Sequence, residues 1–274
     1  MSETRRTVTP EEQKQIMLEM LVDFDRFCKA HNLRYYLTGG TLLGAIRHKG
    51  YIPWDDDIDV GLPRYDYEQF VDLYNKEKTN ENYEFVSFHQ NPDLYVSSGK
   101  LFDKRTVFEE AIESTVQIGI YIDVFPLDNL GNTEEEARAF TEQALKIRKQ
   151  LDVQNWKVIK ERAWYKNLVI RMIKLFSPKG KRRELIEKQD RFCKSNMSKD
   201  LSAYVGYPCA AMKQELLKGG WYKETIEVPF ENHEVSVPKE YDKVLSVFYG
   251  SDYMTPPPLD KQKTHHAYNA WWVE

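Results

Sequence analysis

Four carboxylates fall within five positions in Asp55-Asp56-Asp57-Ile58-Asp59. If residues 57–62 are extended, side chains alternate faces, so Asp57 and Asp59 point the same way. Carboxylates held side by side repel each other unless a cation lies between them. Hard oxygen ligands on a strand suit Mg²⁺ or Mn²⁺, which bind through a few carboxylates plus substrate phosphates. A bare acid cluster is otherwise a solvated turn. The segment upstream favours chemistry.

Residues 34–38 are rich in aromatic and β-compatible side chains and read as a short strand. Gly39-Gly40 then breaks the chain, and Thr41 as N-cap opens a short helical run to Arg47. Gly39, Gly40 and Thr41 thereby form a phosphate cradle: glycines admit an anion close to the backbone, and a helix start offers free N–H groups. Arg47 is either a solvated basic helix end or a contact to a substrate phosphate. His48 shares these readings, and Lys49 the first of them.

The run Tyr36-Leu37-Thr38-Gly39-Gly40-Thr41-Leu42-Leu43-Gly44-Ala45-Ile46-Arg47-His48, followed by Tyr51-Ile52-Pro53-Trp54-Asp55-Asp56-Asp57-Ile58-Asp59-Val60, closely resembles the LicD family. That family is related to fukutin and the fukutin-related proteins, within the nucleotidyltransferase-fold superfamily. Gly119-Ile120-Tyr121-Ile122-Asp123-Val124-Phe125-Pro126-Leu127-Asp128 extends the match. So do Val237-Pro238, Tyr249-Gly250-Ser251-Asp252-Tyr253-Met254 and Pro256-Pro257-Pro258. Residues 36–60 are the specific part; 133–200 are not.

The resemblance implies a phosphotransferase. LicD proteins are associated with moving phosphocholine from CDP-choline to sugars of bacterial surface glycans, such as teichoic acid or lipopolysaccharide. Fukutin relatives are associated with ribitol phosphate from CDP-ribitol. The same superfamily implies a third acid on a neighbouring strand. Asp123 is the candidate, inside the β-branched and aromatic run 118–125. A carboxylate there needs a cation or hydrogen bonds to compensate it. The alternative is a structural Asp bonded to backbone near a turn at Pro126. Asp128, beyond Pro126, is expected to cap that turn.

With this set, Asp57, Asp59 and Asp123 hold one or two metal ions on the diphosphate. In-line displacement then releases CMP, and one carboxylate, Asp123 by expectation, accepts the proton of the sugar hydroxyl. Asp55 shares parity with Asp57 and Asp59 and supports the set. Lys100, near the end of an extended stretch over 94–102, either points to solvent or meets a phosphate. His265 is a further phosphate contact. Tyr268, Trp271 and Trp272 are either core or an aromatic cage for a quaternary ammonium.

The chain has 274 residues, 41% hydrophobic and 30% charged, enough for a sizeable core. A net charge of −4 excludes general nucleic-acid binding. Cys28, Cys193 and Cys209 have no metal spacing; three scattered thiols suit small core residues in a reducing cytoplasm. No signal region or membrane span is legible, so a cytoplasmic protein is expected, peripheral at the inner membrane face at most.

The fold class read from these elements is α+β, a nucleotidyltransferase-like mixed sheet flanked by helices, with a helical insertion in the second half. The expected division is a catalytic core over 1–130, a helical region over 131–200 and a C-terminal segment over 201–274 that packs back on the core. Residues 11–30 read as a helix with Ile16, Met20, Phe24 and Phe27 at helical spacing. Helices are also expected over 65–78, 134–152, 185–197 and 241–249, and a strand over 83–88. In 155–176 one apolar face gathers Val158, Tyr165, Leu168, Val169, Met172 and Phe176, with Lys160, Arg171 and Lys174 roughly opposite. That face either packs in the core or docks on an anionic membrane surface, where a lipid-linked glycan acceptor would be made.

Other readings keep part of this pattern. The cargo could be another CDP-alcohol carrying ribitol or glycerol phosphate. Metal-dependent Asp-x-Asp glycosyltransferases lack the Gly-Gly-Thr start on the preceding helix. Nucleotidyl transfer would attack the other side of the diphosphate. A non-catalytic assembly subunit would be expected to lose an acid or the glycine pair.

Overall fold

The computed structural model describes residues 6–91, 93, 94, 96, 98–109, 116–155, 164–176, 181–210, 216–262 and 269–273. Helix α1, Pro10–Ala30, starts with a capping box. The Thr9 hydroxyl accepts from the Glu12 N–H, and the Glu12 carboxylate accepts from the Thr9 N–H. Ile16, Met20, Phe24 and Phe27 are buried along one stripe, as their spacing requires.

Strand β1, Tyr36–Leu37, is joined to β2, Asp59–Pro63, through helix α2, Gly39–His48, and the acidic loop. Helix α3, Arg64–Glu77, follows, then β3, Tyr83–Val86, β4, Gly99–Asp103, β5, Thr106–Phe108, and the long β6, Tyr121–Gly131. The sheet order is β1-β2-β6-β4-β3, with β2 parallel to β6 and the other pairs antiparallel. Helices α1 and α3 lie together against it, joined by the contacts of Phe24 with Phe70 and Phe27 with Tyr74. This is the α+β, mixed-sheet architecture expected.

Strand β6 runs through Pro126, where a turn was expected. Asp123 N–H donates to Ile58 O, so residues 123, 125 and 127 bond toward β2 and Pro126 faces the other side. There β4 pairing ends at Val124 and β7, Tyr204–Gly206, pairs only from Asp128 onward. Proline sits in that gap, where no ladder bond is lost. Asp128 therefore caps nothing; it is buried in the strand, in a salt bridge to Arg64.

Helices α4, Glu134–Asn155, α5, Trp164–Phe176, and α6, Lys181–Cys193, form the helical region. The apolar face of α5 does not pack in the core: Tyr165, Leu168, Val169, Met172 and Phe176 are exposed, and Ile170 is the buried residue on the other side. Val158 and Lys160 lie outside the described residues. Past β8, Leu217–Lys218, come the hairpin β9, Thr225–Phe230, with β10, His233–Pro238, then helix α7, Tyr241–Tyr249, and β11, Ala270–Trp272, which pairs with β5. Phe230, Val235 and Val237 join the core with Tyr36 and Leu37. All three cysteines are buried, and Cys193 and Cys209 meet beside Asp128. Among the described residues no helix is long and apolar enough to cross a membrane.

Candidate active site

The acids are brought together by register. Asp59 opens β2 opposite Asp123 on the parallel β6, and Lys100 on β4 stands opposite Asp123 from the other side. Lys100 Nζ is 3.3 Å from Asp123 Oδ1, and Ser98 Oγ donates to the same oxygen at 3.3 Å. Lys100 is buried, with its ammonium over the Tyr121 ring at 3.3 Å from the centroid. It is not a solvated strand lysine: a buried cation needs the anion beside it.

Helix α2 begins two residues before Thr41. Gly39 takes φ 55°, a left-handed conformation that L side chains resist, and Thr38 is the N-cap residue without a side-chain capping bond. Thr41 is thus not the cap. Its hydroxyl accepts the Asp59 N–H at 2.8 Å, while Thr38 N–H donates to Asp59 O at 3.1 Å. The first turn of α2 thereby fixes the backbone of Asp59. Thr41→Val is expected to leave that N–H unpaired, costing about 1–3 kcal/mol of stability, and to cut turnover about 10- to 100-fold by shifting the carboxylate. Thr41→Ser should retain both. Denaturant unfolding and steady-state rates on the two variants check this.

Gly40 is where the acidic loop touches the helix. A Cβ there would lie 2.6 Å from Asp55 Oδ2, so only glycine lets the carboxylate rest on the helix start. The positive end of the helix suits an anion at that place. The loop itself is pinned by Gln13, whose amide donates to Asp56 O, by Lys14, which donates to Pro53 O, and by Glu231, which accepts from the Tyr51 N–H.

A cavity of about 580 Å³ opens over this junction. Asp55, Asp57 and Asp59 form its acid wall beside Gly40, and Arg47 lines it. Trp54, Tyr249 and Tyr253 line it too, with Asp252 and the prolines 256–258. Asp123 and Lys100 adjoin Asp59 in the sheet without lining the cavity. Arg47 reaches the C-terminal wall, donating to Tyr253 O at 2.8 Å. Tyr253 donates its hydroxyl to Asp242 Oδ1 at 2.7 Å, and Trp54 packs edge-on to His48. Desolvation, then Arg47, lowers the His48 pKa and favours its neutral form.

Carboxylate oxygens of Asp55, Asp56 and Asp57 lie within 4.8 Å of one another. Desolvation first, then Asp57, pushes Asp55 up to about 7. Asp59 is raised well above the carboxylate range by desolvation and by Asp57, Asp123 and Asp55, against which Lys100 acts in the opposite sense. So many acids with so little compensating charge fit a hard divalent cation.

Sequence reasoning did not bring Tyr249, Asp252, Tyr253 or Trp54 to the site. Their signal was present: three aromatics and an acid within matched motifs. Trp271 and Trp272 lie instead on the β5–β11 ladder, lining a separate hollow with Lys104 and Thr106, because β11 is held there by Phe108, Val107 and Thr106. His265 and Tyr268 lie outside the described residues.

A family model described as LicD/FKTN/FKRP, nucleotidyltransferase domain, matches residues 32–154. Over 274 aligned residues the chain is 32% identical to the lipopolysaccharide cholinephosphotransferase LicD of Haemophilus influenzae, covering 97% of this chain and 99% of that protein. A 34-residue stretch is 56% identical to the ribitol 5-phosphate transferase FKRP of Homo sapiens, covering 12% of this chain and 7% of that protein. An uncharacterised Rickettsia typhi protein is 29% identical over 110 residues, 35% of this chain and 36% of that protein.

Proposed function

Because the chain belongs to the LicD/FKTN/FKRP family, we propose that it transfers phosphocholine from CDP-choline to a sugar hydroxyl of a bacterial surface glycan precursor, releasing CMP. It is a transferase of phosphate-containing groups. The observation that carries the finer reading is one cavity joining an acid wall, an arginine and three aromatic rings. The arginine suits a diphosphate directly and the acid wall suits one through a divalent cation; the rings suit a quaternary ammonium. Lipopolysaccharide is the acceptor class favoured by the full-length similarity; a lipid-linked precursor reached from the cytoplasm is our own reading.

In this reading Arg47 and the start of α2 bind the diphosphate, with Lys100 a buried positive charge beside Asp123. Asp57, Asp59 and Asp123, supported by Asp55, would hold Mg²⁺ or Mn²⁺, which supplies charge neutralisation on the diphosphate oxygens when bound. The acceptor oxygen forms a new bond to the choline-bearing phosphorus, and the bond from that phosphorus to the CMP oxygen breaks. The hydroxyl proton passes to a carboxylate, Asp123 in our assignment. Trp54 and Tyr249 place the trimethylammonium, and Asp252 adds a negative charge on that wall.

The test is turnover of purified protein with CDP-choline, either metal and a pool of lipid-linked glycans, reading CMP and glycan-bound choline by mass. CMP from CDP-ribitol or CDP-glycerol alone would keep the chemistry and change the cargo. Free phosphocholine, with CMP left on the glycan, would indicate nucleotidyl transfer. Silence with every CDP-alcohol would favour a glycosyltransferase or an assembly subunit. Trp54→Leu gives a second readout: phosphocholine should inhibit CMP release about 5- to 30-fold less well than in the unmutated enzyme, with inhibition by CMP unchanged. The opposite pattern would assign Trp54 to the cytidine end.

A further inference from the structure

Helix α5 exposes an apolar surface that nothing in the catalytic cleft uses. Trp164 is 77% exposed, and Leu175 and Phe176 are each 75% exposed. Leu168 and Met172 continue the same strip, with Tyr165 and Val169 beside it. At about 100° per residue these side chains fall in one arc of about 140°. Ile170 is buried on the opposite side, where α5 meets α4, with Asn167 and Ile173 half-buried around it. The exposed Lys166 and Arg171 flank the arc, one on each edge. Around this helix the charge is one-sided: residues 162–183 contain eight Lys or Arg and no Asp or Glu, in a chain whose net charge is −4.

We propose that α5 is a membrane-docking helix, laying its apolar arc into the surface of an anionic bilayer with Lys166 and Arg171 at the level of the headgroups. An apolar strip rimmed by cations matches that interface in both chemistry and sign. A second copy of the chain fits less well. It would set basic rim against basic rim, and a 13-residue helix is about 20 Å long and about 10 Å wide, so its face covers about 200–300 Å², below the roughly 800 Å² per partner of a stable interface. The inference does not depend on the donor or the cargo. It would place the enzyme on the surface that carries lipid-linked acceptors.

The test is vesicle flotation of the full chain with phosphatidylcholine alone and with 30% phosphatidylglycerol. Partition should be at least about 5-fold stronger on the anionic vesicles and fall with salt. The triple variant Leu168→Ser, Leu175→Ser, Phe176→Ser should lose at least about 10-fold in partition, with an unchanged circular dichroism spectrum and an unchanged melting temperature. Lys166→Gln with Arg171→Gln should remove most of the anionic preference. No partition of the unmutated protein, or an undiminished triple variant, would overturn the assignment. A concentration-dependent dimer abolished by the triple variant would overturn it too, giving the face to a second copy.

Discussion

Asp59→Asn is expected to cut CMP release by about 10³-fold or more and, in chelated buffer at pH 8, to raise the melting temperature by about 2–4 °C. The two effects have one cause. Asp59 stands against Asp57, Asp123 and Asp55 with Lys100 as the opposing charge, and desolvation adds to the repulsion. Its folded-state pKa is raised, so the folded protein binds a proton that the unfolded chain has released. Stability of the metal-free protein should therefore fall as pH rises above the unfolded carboxylate range, and level off only above the raised folded value. The amide keeps the hydrogen bonds of the backbone and removes the charge, so the fall should be shallower in the variant. Added Mn²⁺ or Mg²⁺ should stabilise the unmutated protein and do little for the variant. Melting curves from pH 5 to 8, with and without metal, test this. A variant that melts well below the unmutated protein in chelator would make Asp59 a structural carboxylate. Full activity in the variant would remove it from the chemistry.

The acid wall was legible because its members are neighbours in sequence and its motif is dense in a residue type that is costly to cluster. Asp123 was legible from one anomaly, a carboxylate in an apolar run; the parallel register sets it opposite Asp59. Where reading failed, the missing information was long-range. Tyr249 and Tyr253 reach the cavity only because α7 packs on α2, about two hundred residues earlier in the chain. Pro126 looked like a strand end because proline lacks an N–H, but that lack matters only where a neighbouring strand would accept the bond. Periodicity displayed the two faces of α5 without telling which would be covered. Thr41 looked like a cap by type and position, whereas its hydroxyl is taken by a backbone N–H 18 residues on.

Arg64→Met is expected to be the most destabilising single change in the core, about 3–5 kcal/mol, with a fall in melting temperature of about 10 °C. Arg64 Nε donates to Asp128 Oδ1 at 2.6 Å and Nη2 to Oδ2 at 3.1 Å, and both residues are buried. The position of this pair gives it a functional meaning. Arg64 lies five residues after Asp59, and Asp128 five residues after Asp123, on chains running in parallel register. An acid–acid pairing, Asp59 with Asp123, thus opens this ladder, and an ion pair, Arg64 with Asp128, follows its last pair, about 16 Å away at strand rise. Arg64 Nη1 also reaches Glu68 and Asp190, which retain Lys194 if Arg64 is lost, so the uncompensated charge falls on Asp128. The double variant Arg64→Met, Asp128→Leu should recover most of the lost stability, because no buried charge is left alone. Its activity then distinguishes two roles. Recovery of turnover together with stability would mean that packing alone sets the register of Asp59 against Asp123. Recovery of stability with turnover still low would mean that the bidentate pair sets it, so that the far end of the ladder aligns the carboxylates at the near end.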